Sequence, residues 1–310
     1  MVKRNPRVGP VAEASAAAFM EARLQPVESA LERSVDALAS VASPSVAAAV
    51  RDGVLGGGKR IRPLLLVAAY EETGAAVEEP VYDLAASVEM IHAYSLMHDD
   101  LPCMDDAPLR RGSPTAHIVH GAGAATVAGM LLIPWAATRA YESSVALGRS
   151  EDKARAVAAH LLEAAGAGGM IGGQALDLLG EGRALDERDL AELHTLKTGA
   201  LLAAALEAGA MAAGAGRALL AALGRFGRDI GLAFQVTDDV LDATATADVL
   251  GKRPSDAERD KSTYVALMGV EGARAHARRL VERALASLDG AGLRALRLRE
   301  LARSIVQRSR

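Results

Sequence analysis

The chain has 310 residues, half of them hydrophobic and 24% charged, with 39 acidic against 35 basic side chains and a net charge of −4. That balance excludes a disordered bulk and gives no support to a general nucleic-acid binder; five Tyr, three Phe and one Trp are too few for base-stacking platforms. A single cysteine, Cys103, excludes an intrachain disulfide framework and a cysteine-rich zinc site.

Residues 1–13 carry basic side chains but no apolar stretch, so they do not read as a secretory signal. Residues 1–10 are expected to fray, and the protein is expected to be soluble and cytoplasmic. Ala, Leu, Glu and Arg dominate and favour helix. Helices are expected over 12–38, 63–72, 81–99, 122–147, 152–165, 186–211, 218–242 and 272–288, with a last one ending near 307. Glycine-rich loops are expected at 53–58, 112–114, 166–173 and 251–256. Alternating β-branched runs are scarce, so no sheet is expected. Residues 11–310 read as one all-α domain. Between Arg111 and Arg139 there is no charged residue. Its prolines, histidines and small residues favour buried core helices over a membrane span.

Along the chain, the first chemical signal is Lys59-Arg60-Ile61-Arg62 after Gly57-Gly58, two or three cations at a helix start. Such a start suits phosphate. The run from Gly53 nearly fits a P-loop, but Arg60 replaces the hydroxyl residue and no strand precedes it. In 81–99 a helical stripe runs Leu84, Val88, Ile91, Ser95, Asp99, with His92 on the same side. A stripe that turns from apolar to acidic suggests a helix lining a cavity with a charged mouth. Asp99, Asp100, Asp105 and Asp106 then fall within eight residues. Such charges repel unless a hard cation relieves them, and Mg²⁺ is a natural candidate. Spacing alone leaves Asp105 and Asp106 open: Asp106 shares a straight helix face with Asp99, but Pro102 breaks the helix.

Arg110 and Arg111 follow. The glycines of 168–173 lack the βαβ context of a dinucleotide fingerprint. Lys197-Thr198-Gly199 adds a further basic group of the kind that suits a diphosphate. Asp238 and Asp242, spaced i,i+4, continue the stripe of Ile230 and Phe234. One acidic pair alone would read as a solvated face. Two clusters, each extending an apolar stripe, point to a site, because carboxylates are rarely buried unless paired or metal-bound. Lys252 and Arg253 come just after the second cluster.

Together these segments resemble the trans-isoprenyl diphosphate synthases. The likeness rests on GGKRIRP at 57–63, IHAYSLMHDDLPCMDD at 91–106, LRRG at 109–112, GGQALDL at 172–178, KTGAL at 197–201, FQVTDDVLD at 234–242, GKR at 251–253 and DKSTY at 260–264. It is nearest to bacterial farnesyl diphosphate synthases. The resemblance implies an all-α homodimer of the isoprenoid synthase fold, its helices around a deep central cavity. It implies that Asp99 and Asp105 bind two Mg²⁺ ions and Asp238 a third, with Asp100 and Asp242 nearby. It implies that Arg110, Lys197 and Lys252 contact an allylic diphosphate, and that Lys59, Arg62, His92 and Arg111 form an isopentenyl diphosphate site. Thr198 and Gln235 match groups near the reacting carbons, and Lys261 a further basic position. Tyr94 matches a bulky floor limiting the product to farnesyl, while small Ser95 disfavours stopping at geranyl. Many relatives carry four aspartates from position 105; this chain has Asp105-Asp106-Ala107-Pro108, which bears on the loop before Arg110.

A geranylgeranyl synthase is the alternative reading. A class I terpene cyclase would need aromatic walls and no second diphosphate site. A silent partner subunit would tend to lose an acidic cluster, and both are present. Cys103 and Trp135 read as packing residues, His117 and His120 as structural, and 303–310 as a solvated end or an active-site clasp.

Overall fold

The structure, a computed structural model, describes residues 16–244 and 262–307. The helices are α1 (Ala16–Ala39), α2 (Pro44–Leu55), α3 (Ile61–Glu72), α4 (Glu79–Asp99), α5 (Ala116–His120), α6 (Ala122–Ala146), α7 (Glu151–Ala165), α8 (Met170–Gly180), α9 (Glu187–His194), α10 (Ala200–Ala213), α11 (Arg217–Thr244), α12 (Tyr264–Gly290) and α13 (Leu296–Gln307). The all-α expectation is met, with one small exception. Leu109–Arg110 and Ser113–Pro114 pair as a two-residue antiparallel hairpin. Arg111 and Gly112 at its tip both have positive φ, +53° and +80°, the backbone a tight twisted hairpin turn requires.

Three helices lie outside the expected ranges, the five-residue α5 and the longer α2 and α8. In α2, Ser43 is extended and Pro44 occupies the first turn, a start signal masked by the glycines that follow. Gly53 belongs to α2, and the Met97 side chain fills the place of a Cβ. In α8, Gly172 and Gly173 lie inside the helix, so the 166–173 loop ends at Gly169. Both segments hide their helix for one reason: the glycines permit close packing, which local propensity scores as a break.

The centre is built from α3, α4 and α10. Every residue of α3 from Pro63 to Tyr70 is buried, as are most of α10 and of the middle of α4. Helices apolar all round must sit inside. α10 packs on α3, α7 and α11, α4 packs on α1, α3 and α6, and α12 covers α11. One described helical run, Glu187–Ala213, is long and apolar enough to cross a bilayer, but 67% of its most apolar window is buried in the fold. The charge-free stretch after Arg111 forms the hairpin, α5 and most of α6.

Candidate active site

A cavity of about 1020 Å³ is lined by residues of α3, α4, α6, α8 and α11, the hairpin and the turn before α10. Asp99, Asp105 and Asp238 all line it. α4 stops at Asp99 because Pro102 cannot continue it. The chain folds back so that Asp105 N–H donates to Asp99 O at 2.8 Å. This sets the two acids apart. Asp105 faces the cavity, whereas Asp106 has φ +47° and is exposed.

Burial pushes the Asp99 carboxyl up to about 6; neighbouring Asp105 and Asp100 push the same way, while Lys197 and Arg110 oppose them. Among the described residues no three His, Cys, Asp or Glu side chains converge on one point. Asp99, Asp105 and Asp238 offer this cavity carboxylate oxygens, the donors suited to Mg²⁺, which takes one or two carboxylates and completes its shell with water and phosphate oxygens. Cation binding must displace the Asp99 proton below pH about 6 and need not above it. We therefore expect Mg²⁺ affinity of the free protein to fall about tenfold per pH unit below 6 and to level off above 7. Calorimetric titration between pH 5 and 8 checks this; an affinity still climbing steeply from pH 7 to 8 would refute it.

Asp100 is turned away from the cavity lining. It is buried and accepts from Arg110 Nε at 2.9 and 3.0 Å and from Nη2 at 2.7 Å. The expectation of Asp100 beside a metal becomes, in this geometry, a carboxylate that orients Arg110. The unusual Ala107-Pro108 is accommodated. Thr115 N–H donates to Pro108 O at 3.1 Å, and its hydroxyl to Ala107 O at 2.8 Å.

The hairpin aims Arg110 and Arg111 at the cavity. The Arg111 guanidinium meets Gly57 O, so the two basic motifs join at one corner with Lys59, Arg62 and His92. Arg62 Nε and His92 Nδ1 are buried without partners. Burial, then Arg62, Arg111, Arg110 and Arg60, hold His92 well below the usual histidine range, so it is neutral at pH 7. Arg60 behaves differently from Lys59 and Arg62. It takes a left-handed backbone, φ +48°, and its guanidinium binds Glu28 at 2.8 Å, Glu89 at 2.9 Å and Val54 O at 3.1 Å.

Between α9 and α10, Thr195–Gly199 form a π-helical turn. Such bulges reorient side chains at functional sites. Here Lys197 Nζ meets Asp177 Oδ2 at 2.6 Å, and Thr198 Oγ1 donates to Gln235 Oε1 at 3.1 Å. A Cβ at Gly173 would strike the Lys197 backbone, and one at Gly231 would lie 2.6 Å from Gly199 Cα. Glycines on α8 and α11 thus clamp the turn from two sides.

Deeper, Tyr94 is 4% exposed, its hydroxyl reaches Ala165 O at 3.4 Å, and its ring meets that of His98 edge-on at 5.7 Å. Ser95 donates to His92 O at 2.9 Å, and Ile133, Met170 and Phe234 add apolar lining.

Asp242 is exposed and absent from the cavity lining. Lys252 and Lys261 lie outside the described residues, as do positions 1–10. Two lining or supporting groups carried no assigned role in the sequence: Gln174, whose amide is buried with neither end partnered, and Asp177, the partner of Lys197. Their signal was there, two polar residues spaced i,i+3 in an apolar, glycine-rich segment.

The sequence matches the polyprenyl synthetase family over residues 43–291. It is similar to a farnesyl diphosphate synthase of Escherichia coli, 41% identical over 299 residues, covering 94% of this chain and 98% of that one. The structure resembles an apo FPP/GFPP synthase from Zymomonas mobilis, TM-score 0.80 at 34% identity, covering 94% of this chain and 99% of the other. It also resembles a geranyltransferase from Helicobacter pylori complexed with magnesium and isoprenyl diphosphate, TM-score 0.76 at 30% identity, over 96% and 98% of the two chains. A match spanning most of the chain, at these identities and with the same helical fold, leaves one conclusion: this protein belongs to the polyprenyl synthetase family.

Proposed function

We propose that this protein is a trans-prenyltransferase that condenses isopentenyl diphosphate head-to-tail with dimethylallyl and then geranyl diphosphate, giving farnesyl diphosphate. One observation carries the reading. A single cavity holds an acidic wall, a separate cationic corner and an apolar end. That is room for two diphosphates handled differently and for one growing hydrocarbon tail.

Magnesium, three ions in our reading, would be held by Asp99 and Asp105 on one side and Asp238 on the other. When bound it supplies positive charge to the leaving diphosphate. Arg110 and Lys197 add fixed charge where negative charge develops. Lys59, Arg62 and Arg111 hold the second diphosphate, with neutral His92 offering a hydrogen bond without further charge. Thr198 and Gln235, which line the same cavity, would flank the reacting carbons. The apolar lining keeps water from the allylic cation, which water would quench. The proton lost from the new chain would pass to the departed diphosphate, itself a base. No nucleophilic side chain is needed.

Tyr94 is proposed as the floor, with its hydroxyl tethered to the end of α7. For Tyr94→Ala we expect geranylgeranyl and longer products beside farnesyl, read by chromatography of the released prenols; an unchanged farnesyl-only profile would remove Tyr94 from chain-length control. A geranylgeranyl synthase remains the second reading, distinguished by the same assay on the wild type. A cyclase would consume an allylic diphosphate without isopentenyl diphosphate, and a silent subunit would turn over neither. Incubation with Mg²⁺, isopentenyl diphosphate and each allylic primer therefore tests the whole proposal. Production of farnesyl supports it; no prenyl transfer with any primer would overturn it.

The family likeness also implies a homodimer. Ile118, Val119, Val127 and Met130 expose an apolar strip on α5 and α6 that a second copy would cover. Two water-soluble diphosphate substrates fit a soluble, cytoplasmic enzyme.

A further inference from the structure

Asp238, Asp239 and Asp242 look alike in sequence, yet the structure gives them three environments. Asp238 lines the large cavity, and Asp242 is exposed. Asp239 is 8% exposed and faces instead a small neighbouring cavity of about 130 Å³, together with Asp177, Lys197, Gln235 and Thr263. Its Oδ2 accepts the backbone N–H of Tyr264 at 2.7 Å.

Tyr264 opens α12 and is fully buried. Its ring stacks on His276 at 5.4 Å and lies 6.0 Å from that of His194 on α9. The residues just before it are fastened as well. Ser262 Oγ accepts from Leu185 N–H at 2.9 Å and donates to Arg183 O at 3.1 Å, while Thr263 Oγ1 caps α12 through Ala266 N–H at 3.1 Å. The start of α12 is thus tied to the α8–α9 loop, to α9 and to α11. Asp239 is the tie to α11, and it is adjacent in sequence to the cavity-facing Asp238. An acceptor for a buried backbone N–H on the first turn of a helix also meets the positive end of that helix.

Resting on the prenyltransferase reading, we infer that Asp239 is a positioning residue rather than a metal ligand: through the Tyr264 amide it locks α11 to the start of α12 and so fixes where Asp238 stands. The job needs an oxygen acceptor, which asparagine keeps and alanine lacks. A Mg²⁺ ligand owes much of its affinity to the carboxylate charge, which asparagine loses.

Three variants of the full-length enzyme separate these roles: Asp239→Asn, Asp239→Ala and, as the ligand control, Asp238→Asn. We expect Asp239→Ala to lose roughly tenfold or more of the hydrogen-exchange protection at the Tyr264 amide, with kcat falling about tenfold and the Mg²⁺ half-saturation rising as Asp238 loses its support, both reversed in Asp239→Asn. Asp239→Asn should restore the amide protection and most of kcat. Asp238→Asn should keep the amide protected while raising the Mg²⁺ requirement at least about tenfold. The inference is overturned if Asp239→Asn shifts the Mg²⁺ requirement as Asp238→Asn does, or if Asp239→Ala leaves the Tyr264 amide protected. The exchange arm needs no turnover, so it stands even if wild-type protein transfers no prenyl group and the functional reading falls.

Discussion

Asp99→Asn is expected to lower kcat by about 10²–10³-fold, the size of effect seen when one element of transition-state charge stabilisation is removed. The side chain lines the cavity at the end of a long, mostly buried helix. It keeps its position as asparagine but can no longer neutralise a divalent cation. The same substitution should not destabilise the fold. The Asp99 carboxyl sits near pH 6 because burial disfavours its charge. Ionising it at pH 7 costs up to about 3 kcal/mol relative to the unfolded chain, a burden present above pH about 6 and gone below about 4. Asparagine has no charge to bury. The expected pattern is a thermal midpoint equal to or above wild type with activity nearly abolished. A variant that loses activity by melting earlier would mean that Asp99 is a structural group.

Glu89→Ala should do the opposite, and its main effect is on stability. Glu89 and Arg60 form an ion pair with side chains 5% and 2% exposed. Removing one partner of a buried pair costs about 3–5 kcal/mol, because the other charge is left in a low-dielectric site. Glu28 still holds Arg60 at 2.8 Å, which favours the lower end. In a domain this large, a loss of about 3 kcal/mol lowers the melting midpoint by roughly 6–12 °C. Lys59 and Arg62 flank Arg60, so the surviving enzyme should also show a raised KM for isopentenyl diphosphate with a smaller change for the allylic primer. A scanning-calorimetry trace matching wild type would show that the pair contributes nothing.

Much of this protein is written locally. The stripe Leu84 to Asp99 and the spacing of Asp238 reveal helices that end in charge, and carboxylates placed where a core is due can be recognised without coordinates. The helical class follows from composition, and the ordered motifs carry the family resemblance. The limits were equally local. Glycines at 53 and 173 read as breaks because their purpose, room for Met97 and for the Lys197 backbone, lies in distant segments.

What tertiary structure alone decided is where identical side chains point. Asp105 rather than Asp106 enters the cavity because Pro102 ends a helix that periodicity would have continued. Asp100 holds Arg110 and Asp239 holds an amide, though each stands next to an acid that faces the cavity. Lys59, Arg60 and Arg62 all border the cavity, but Arg60, with its positive φ, is taken up by Glu28 and Glu89. Residue type and spacing fix which chemistry is present; the choice among neighbours depends on partners far away in the chain, which only the packed helices bring within reach.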